Sequence, residues 1–323
     1  MYREILEQEY ALLCRQRLMD RVSRQPSLAI VWWNTSLCSY GRVKKGKTSK
    51  VYLETLKSIK KLLADNDLLI LGEFTDEYGL RKYIAELNLR SVCEGSRVRY
   101  NMIDLNYSET YKNARNRTCK HEFHNVIIYK MNSLVYFPEA IKCMTCNKLG
   151  TKHYRVYQCV KFRSRSLCDK ALEVFVVHWS MRDSINGEDE KRKKYDAAGK
   201  IRARMIDDES SCPYQIVVGD FNCEMYEEPF AKLESSRSVK YAARNNSLYN
   251  PFWRCVGDDV GSISDRGNLS LLCDEPFFDG ILVNRGFVGE EGDFKLLPSV
   301  LNDVKPFRSG NHRPLQLIIN KVK

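Results

Sequence analysis

A series of short apolar runs, separated by amphipathic segments, limits the folds open to this 323-residue chain more than any other feature. Runs of about four to eight aliphatic and aromatic residues favour buried strands, whereas apolar residues three or four apart favour helices. Interleaved elements of both kinds predict β-sheets covered by helices, which is an α/β fold. The predicted strands cover residues 28–34, 67–74, 125–131, 133–138, 154–162, 172–180, 215–221, 277–283 and 314–320. The predicted helices cover residues 1–21, 50–65, 77–87 and 187–207.

The composition and the lack of internal boundaries predict one large core. Hydrophobic residues make up 43% of the chain, too many for a disordered polymer. No apolar run reaches the ~18 residues that a membrane-spanning helix needs, so we expect no membrane partner. No internal repeat, low-complexity tract or long Pro/Gly/Ser linker marks a domain boundary. We therefore predict a single domain over residues 1–323, with a Cys/His-containing insertion around residues 91–170.

The cysteines and the N-terminal residues bear on the cellular compartment. The chain has 12 cysteines, and several lie in apolar runs, such as Cys159 in YRVYQCVKF. This distribution favours reduced thiols that pack as small hydrophobic side chains over a disulfide framework. The N-terminal segment mixes charges with apolar positions and lacks the apolar run of a signal peptide. Both observations predict a cytoplasmic protein.

The balance of charges favours a polyanionic partner. Lysine and arginine number 52 against 41 acidic residues, which gives a formal net charge of +11. Basic proteins bind nucleic acid partly through the release of counterions condensed on the phosphates. A surplus of this size also serves solubility alone, so the charge becomes informative only beside a site that handles phosphate.

Polar residues end or open several of the predicted strands. A single residue of this kind is more often part of a turn than of a catalytic site. Together, however, carboxylates, carboxamides and two histidines are the groups that metal-assisted phosphoryl hydrolysis requires. The residues at these strand ends are Asn34, Glu73, His178, Asp220, Asn222, Asp279, Asn311 and His312.

The ordered segments WWN, LGEF, VVHWSMR, VVGDFN, FFDGILV and SGNHRPL resemble the signature set of the endonuclease/exonuclease/phosphatase superfamily. They span residues 28–318, and GDFN after an apolar strand is the most specific of them. The resemblance is weak between residues 91 and 170. It implies an α/β four-layer sandwich, in which two mixed β-sheets face each other and are flanked by helices. It also implies a site at one rim of the sandwich, where strand ends converge.

The resemblance implies a divalent metal site. Glu73 would be the main ligand of Mg²⁺ (or Mn²⁺), with help from Asn34, because hard cations prefer oxygen ligands. The superfamily usually has Ser-Asp-His where this chain has Gly310-Asn311-His312. Asn311 can still ligate a metal through its amide oxygen, but it lacks the negative charge of aspartate. We therefore expect a working enzyme with an altered metal balance, and the alternative is an inactive relative that keeps the fold.

The remaining residues of the set have catalytic roles in the resemblance. His312 would orient or deprotonate the attacking water, with Asp279 holding its ring in the correct tautomer. Asp220 and Asn222 would position the nucleophile and the non-bridging phosphate oxygens. His178 would donate a hydrogen bond or a proton to the phosphate.

Basic residues follow the strands that carry the site. Arg182 is placed to bind a substrate phosphate through two parallel N–H bonds. Lys44 and Lys45, with Lys47, follow Asn34, and a Lys-Arg-Lys-Lys run covers residues 191–194. Such runs are usually solvated faces, but these would also be suited to track a phosphate backbone along the cleft.

A second cluster suggests a structural zinc ion. Cys143 and Cys146 form a CxxC that we expect in a loop between two strands, and a tetrahedral site would need two more Cys or His ligands. The Cys-x-His-x-x-His spacing upstream is not a standard ligand pair, and a cysteine-rich chain contains a CxxC by chance. Both interpretations stay open. The candidate additional ligands are Cys119, His121, His124 and His153.

These observations predict a Mg²⁺-dependent phosphodiesterase, and most of all a nuclease that hydrolyses DNA or RNA. A phosphatase or phosphodiesterase that acts on a small phosphate ester is the alternative within the enzyme class, because the superfamily contains both. An inactive nucleic-acid-binding relative is the alternative outside that class. Whether the protein has a protein partner is not determined by the sequence.

Overall fold

The computed structural model of the protein describes residues 27–37, 50–74, 79–112, 118–138, 142–149, 152–180, 187–208, 212–256, 262–264, 277–289, 294–302, 304 and 311–322. The strands, numbered along the chain, are β1 (Ser27–Asn34), β2 (Leu68–Gly72), β3 (Tyr100–Asp104), β4 (Tyr107–Lys112), β5 (Thr118–Phe123), β6 (Asn125–Lys130), β7 (Leu134–Tyr136), β8 (Lys142–Leu149), β9 (Lys152–Ser164), β10 (Lys170–His178), β11 (Tyr214–Asp220), β12 (Ser235–Ser236), β13 (Leu248–Tyr249), β14 (Ile263–Ser264), β15 (Asp279–Val283), β16 (Phe294–Val300), β17 (Asn311–His312) and β18 (Leu315–Lys321). The helices are α1 (Lys50–Asp65), α2 (Leu80–Cys93), α3 (Gly187–Asp208), α4 (Glu228–Lys232), α5 (Val239–Asn245) and α6 (Arg285–Val288).

Two mixed sheets form the framework. The first has the strand order β16-β18-β1-β2-β6-β3, and the second has the order β12-β13-β15-β11-β10-β9-β7, with β8 paired to β9. In the first sheet β1 and β2 are parallel, and in the second β10 and β11 are parallel. Because parallel neighbours end on the same side, each sheet brings the carboxyl ends of two strands together.

Side-chain alternation along the strands produces the layers. In β1, Ile30 and Trp32 lie in the apolar cluster shared by the two sheets, whereas Val31 and Trp33 lie in a second cluster with α1 and α2. Residues two apart in a strand share a face, so one strand supplies both layers. Helix α3 packs on the second sheet through buried residues such as Ile201, which belongs to the same apolar cluster as Ile30 and Trp32. The result is the predicted α/β four-layer sandwich of two mixed β-sheets flanked by helices.

The strongly patterned elements were predicted well. Helix α1 has the predicted bounds 50–65, and the strands of both sheet centres lie within a few residues of their predicted positions. Strand β16 was missed because it is an edge strand that contains Pro298, a residue that cannot donate a ladder hydrogen bond. Strands β4 and β5 were missed because their sequences are largely polar, and they pair with each other.

The region around residues 91–170 contributes to both sheets. Strands β3 and β6 belong to the first sheet, and β7, β8 and β9 belong to the second. The expectation that Cys143 and Cys146 lie in a loop was wrong, because both are in β8, which pairs with β9. The single domain remains a prediction, and the predicted helix over 1–21 lies outside the described residues. Within the described ranges, no helix is both long and apolar enough to cross a bilayer.

Candidate active site

The strand ends of the two sheets meet at one rim. Asn34 at the end of β1 is paired with Gly72 at the end of β2. In the second sheet, Asp220 is paired with His178 on one side and with Asp279 on the other. The two sheets touch here, because Asn34 Nδ2 donates a hydrogen bond to Asp220 Oδ2 at 3.1 Å.

A second contact between the sheets passes through Trp32. Its indole Nε1 donates to Asp279 Oδ1 at 2.7 Å, and both groups are fully buried. The ring lies over Gly72, where a Cβ atom would be 2.6 Å from the nearest ring carbon. Glycine in the LGEF segment therefore makes room for the tryptophan that holds the aspartate.

Glu73 leaves β2 in a strained backbone conformation. Its φ is +50°, a value that non-glycine residues rarely adopt and that often marks functional sites. Thr35 holds this turn, since its hydroxyl contacts the carbonyl oxygens of Gly72 and Glu73 at 3.0 and 3.1 Å. Asn34 Nδ2 lies 3.4 Å from Glu73 Oε1. The carboxylate is thereby directed to the rim, where the side chain is 14% exposed.

His312 and Asp279 form a buried pair. His312 Nδ1 lies 2.6 Å from Asp279 Oδ2, and His312 Nε2 lies 3.7 Å from Asp220 Oδ2. Burial alone would lower the pKa of His312, but the charges of Asp279, Asp220 and Glu73 outweigh it and raise the pKa to about 9. At neutral pH the imidazole is therefore protonated, and both of its nitrogens act as donors.

Asp220 is a carboxylate that titrates near neutral pH. Burial raises its pKa to about 7, and the charge of Asp279 adds to this effect. His312, the backbone N–H of Asn222 and the Asn34 amide act in the opposite direction. Asn222 N donates to Asp220 Oδ1 at 2.8 Å, so each carboxylate oxygen of Asp220 has a donor. A group with this pKa can accept a proton and return it near pH 7.

His178 is a neutral imidazole at the same rim. Its Nε2 lies 3.7 Å from Glu73 Oε1 and 3.9 Å from Asp220 Oδ2. Burial and then the charge of Arg155, with smaller contributions from other histidines, lower the pKa of His178 well below its usual value. Neutral His178 can donate one N–H to a bound phosphate but does not carry a proton to give away at pH 7.

The oxygen donors at this rim fit a hard divalent cation. Ligand atoms of Asp220, Asp279 and His312 all lie within 4.8 Å of one another. Both oxygens of Asp279, however, already accept hydrogen bonds from Trp32 and His312. Glu73 is the most exposed of the three carboxylates and lies beside the Asn34 amide. Glu73 therefore suits Mg²⁺ better than the buried triad does, whereas Asn34 faces Glu73 with its amide nitrogen and accepts a hydrogen bond from Ser36 N at 3.0 Å on its Oδ1.

Ser262 is a site residue that sequence reasoning missed. Its hydroxyl oxygen accepts hydrogen bonds from Phe278 N at 3.0 Å and Asp279 N at 3.1 Å, and its carbonyl accepts from Arg313 N at 2.7 Å. One buried serine thus fixes the segments that carry Asp279 and His312. Its local sequence, GSISD, gives no signal for this role. Trp33 was also missed, and its Nε1 donates to the carbonyl of His312 at 3.1 Å.

Ser262→Ala is expected to lower both stability and turnover. It leaves the buried N–H of Asp279 and the partly buried N–H of Phe278 without an acceptor, at a cost of about 1–3 kcal/mol for the buried group, and frees the start of β15 to shift Asp279. Urea unfolding and kcat on a phosphodiester would measure both effects. Ser236→Ala is the matched control, since that hydroxyl accepts from Ser238 N at an exposed turn. Equal results for the two variants would contradict the role of Ser262.

The other predicted residues are distributed as follows. Asn311 precedes His312 in β17, which pairs with β14. Cys119 is in β5, on a different strand pair from Cys143 and Cys146. His124 Nδ1 lies 3.2 Å from Asn106 Oδ1. His124 is also one of the groups whose charge lowers the pKa of His178. The predicted phosphate-binding residues Lys44, Lys45 and Arg182 lie outside the described residues.

Residues 191–194 were open to two interpretations, a solvated face or a surface that tracks phosphates, and the structure shows that not all four face solvent. Lys191 is exposed and pairs with Glu188, as expected. Lys194, however, is only 3% exposed and donates a hydrogen bond to the carbonyl of Asn222. A helix turns about 100° per residue, so a run of four charges cannot all face solvent when one side of the helix is buried.

Solved structures share this fold. The catalytic domain of human Nocturnin, solved with a bound sulfate anion, matches with a TM-score of 0.56 and 13% identity, over 92% of this chain and 96% of that one. An endonuclease/exonuclease/phosphatase family protein from Bacteroides thetaiotaomicron matches with a TM-score of 0.53 and 13% identity, over 92% and 98%. TDP2 of D. rerio, in complex with a single-strand DNA product, matches with a TM-score of 0.53 and 11% identity, over 91% and 99%.

The chain therefore has the endonuclease/exonuclease/phosphatase fold, as the sequence motifs implied. No protein-family model and no curated protein matches the sequence. At 11–13% identity the structural likeness is one of fold, and the chemistry has to be argued from the site itself.

Proposed function

We propose that this protein is a divalent-metal-dependent phosphodiesterase that hydrolyses phosphodiester bonds in DNA or RNA. The observation that carries the proposal is the convergence of Glu73 and Asn34 with Asp220 and the His312–Asp279 pair at one rim. Anionic oxygen ligands, a carboxylate that titrates near pH 7 and a protonated imidazole are the groups that phosphoryl hydrolysis needs.

Glu73 would hold the cation, with Asn34 and Asn311 as predicted further ligands; Asn34 would have to use its Oδ1, which accepts from Ser36 N in the structure. When bound, Mg²⁺ or Mn²⁺ polarises the scissile phosphate and offsets the negative charge that develops on it. Asp220 accepts a proton from the attacking water, because its pKa is near 7 and its carboxylate faces His312 across 3.7 Å. This assignment differs from the sequence-based one, which gave the proton transfer to His312.

The two histidines act as donors in this mechanism. Protonated His312 is held by Asp279 and directs its Nε2 toward the region of Asp220, where a non-bridging phosphate oxygen would accept the hydrogen bond. Neutral His178 donates a further hydrogen bond to the phosphate from its place beside Glu73 and Asp220. Asn222, fixed beside Asp220, keeps that carboxylate oriented.

A polymeric substrate is favoured by charge. The formal net charge of +11 suits a polyanion, and the D. rerio TDP2 structure of the same fold is a complex with single-strand DNA. Lys44, Lys45 and Arg182 remain predicted phosphate contacts. A small phosphate ester and a purely binding role are the outcomes against which this proposal is tested.

The test compares substrates and metals in one series of assays. We expect Mg²⁺- or Mn²⁺-dependent cleavage of single- or double-stranded DNA or RNA, no activity in EDTA, and slower cleavage of bis(p-nitrophenyl) phosphate. Cleavage of p-nitrophenyl phosphate alone would instead indicate a phosphatase. Binding of nucleic acid without hydrolysis of any substrate would indicate an inactive relative.

The rate should depend on pH through Asp220 and His312. The proton acceptor must be deprotonated and the donor protonated, so kcat/KM should rise through about pH 7 and fall through about pH 9. A divalent cation held by Glu73 would favour the ionised form of Asp220. A higher Mg²⁺ concentration should therefore move the acid limb of the rate–pH profile to lower pH. Rates from pH 5 to 10 at two Mg²⁺ concentrations would measure this. A rate that keeps rising through pH 9 would instead make neutral His312 the base.

A further inference from the structure

Lys194 is a buried lysine beneath the candidate active site. Its side chain belongs to α3 and is 3% exposed, and its ammonium donates a hydrogen bond to the backbone carbonyl of Asn222. Burial of an ammonium group is costly unless strong hydrogen bonds or charges compensate for it. A lysine in this place is therefore expected to have a role that an apolar residue would not fill.

The turn that Lys194 contacts is fixed at three polar groups of Asn222. The backbone N–H donates to Asp220 Oδ1 at 2.8 Å, and the side-chain Nδ2 donates to the carbonyl of Trp179 at 2.8 Å. The carbonyl accepts from Lys194. The φ of Asn222 is +50°, in the left-handed region that asparagine adopts more readily than most residues, and the three hydrogen bonds fix the turn in this conformation.

Helix α3 provides a rigid base for this contact. Ala197, Ala198, Ile201 and Met205 are buried against the second sheet, and Lys194 precedes them at helical spacing on the same face. The lysine thus occupies the position of this stripe that lies under the site.

We propose that Lys194 is a positioning residue that holds the Asp220–Asn222 turn in the geometry needed for hydrolysis, an inference that rests on the proposed function. The ammonium fixes the plane of the peptide that follows Asn222, and this peptide in turn keeps the N–H of Asn222 on Asp220 Oδ1. Without the ammonium, the carbonyl of Asn222 loses its donor, the turn becomes less ordered, and Asp220 Oδ1 loses the hydrogen bond from Asn222 N. The carboxylate then samples orientations in which Oδ2 no longer faces His312.

Three variants test the proposal. Lys194→Met keeps much of the side-chain volume without the charge, Lys194→Arg keeps a charged donor, and Lys200→Met is the control on the same helix. Lys200 pairs with Asp196 at a partly exposed position away from the turn. The readouts are kcat and KM on bis(p-nitrophenyl) phosphate, and hydrogen exchange of the amides in residues 219–225.

We expect Lys194→Met to lower kcat by about 10- to 100-fold with little change in KM, because misplaced catalytic groups slow the chemical step more than they weaken binding. Exchange in residues 219–225 should become faster in that variant. Lys194→Arg should recover much of both properties, and Lys200→Met should match the wild type.

Wild-type exchange in residues 219–225 of Lys194→Met would overturn the proposal, whatever the activity. A loss of kcat in proportion to a general loss of folded protein, without rescue by arginine, would overturn it as well and leave only a structural role. If the wild-type protein hydrolyses no phosphate ester, the proposed function fails. The exchange comparison still decides in that case whether Lys194 holds the turn.

Discussion

Glu73→Gln is expected to lower Mg²⁺-dependent hydrolysis by about 10³-fold, the equivalent of several kcal/mol of transition-state stabilisation that a metal ion supplies. Glutamine has almost the same shape and keeps one carbonyl oxygen, but it lacks the negative charge that a hard cation prefers. The side chain reaches the rim from a backbone held by Thr35, so the substitution should not disturb the fold. Rates across a Mg²⁺ titration and calorimetric Mg²⁺ binding would measure the effect.

A surface control separates loss of the metal ligand from loss of charge in general. Glu86→Gln removes one negative charge from an exposed position of α2 and should leave hydrolysis unchanged. Thermal unfolding of Glu73→Gln should be close to that of the wild type. Near-normal turnover of Glu73→Gln at saturating Mg²⁺ would show that the cation is held elsewhere, with the triad of Asp220, Asp279 and His312 as the next candidate.

His312→Ala is expected to lower kcat/KM by about 10² to 10⁴, the range found when a positioned proton donor or acceptor is removed. Asp279→Asn should resemble it. The amide in this variant would still accept the Trp32 hydrogen bond through its oxygen but would present an N–H to His312 Nδ1, so that this nitrogen must lose its proton and the ring its positive charge. The 2.6 Å contact and the complete burial of Asp279 imply that the two residues act as one unit.

A double-mutant cycle tests this coupling. The loss in the double variant should be close to that of either single variant, and full additivity would contradict a coupled pair. Removal of the imidazole leaves a buried carboxylate without its partner, which costs about 3–5 kcal/mol of stability when a buried ion pair is broken. His312→Gln, which keeps an N–H donor of similar reach, is therefore the variant for activity if His312→Ala does not fold.

The sequence was sufficient to predict the central helices and strands, its resemblance to the superfamily implied the layers, and several of the residues it singled out lie together at one rim. Apolar alternation is a local property, so α1 and the central strands are visible without tertiary information. Polar residues at the ends of buried strands, such as Glu73 and Asp220, are also visible, because they interrupt an apolar run. Where local pattern is weak, as in the edge strand β16, prediction failed.

The tertiary structure alone decided how these residues act. Trp32, Ser262 and Lys194 reach the site from elements distant in sequence, and their hydrogen bonds to Asp279 and Asn222 have no local signature. The pKa values of Asp220 and His312 were likewise not predictable from the sequence, because a pKa depends on burial and on charges that only the fold brings together. Residue types and strand ends along the chain determined where phosphate chemistry could occur. The packing of two sheets determined which carboxylate titrates near pH 7 and which histidine keeps its proton, because electrostatic coupling acts through space rather than along the chain.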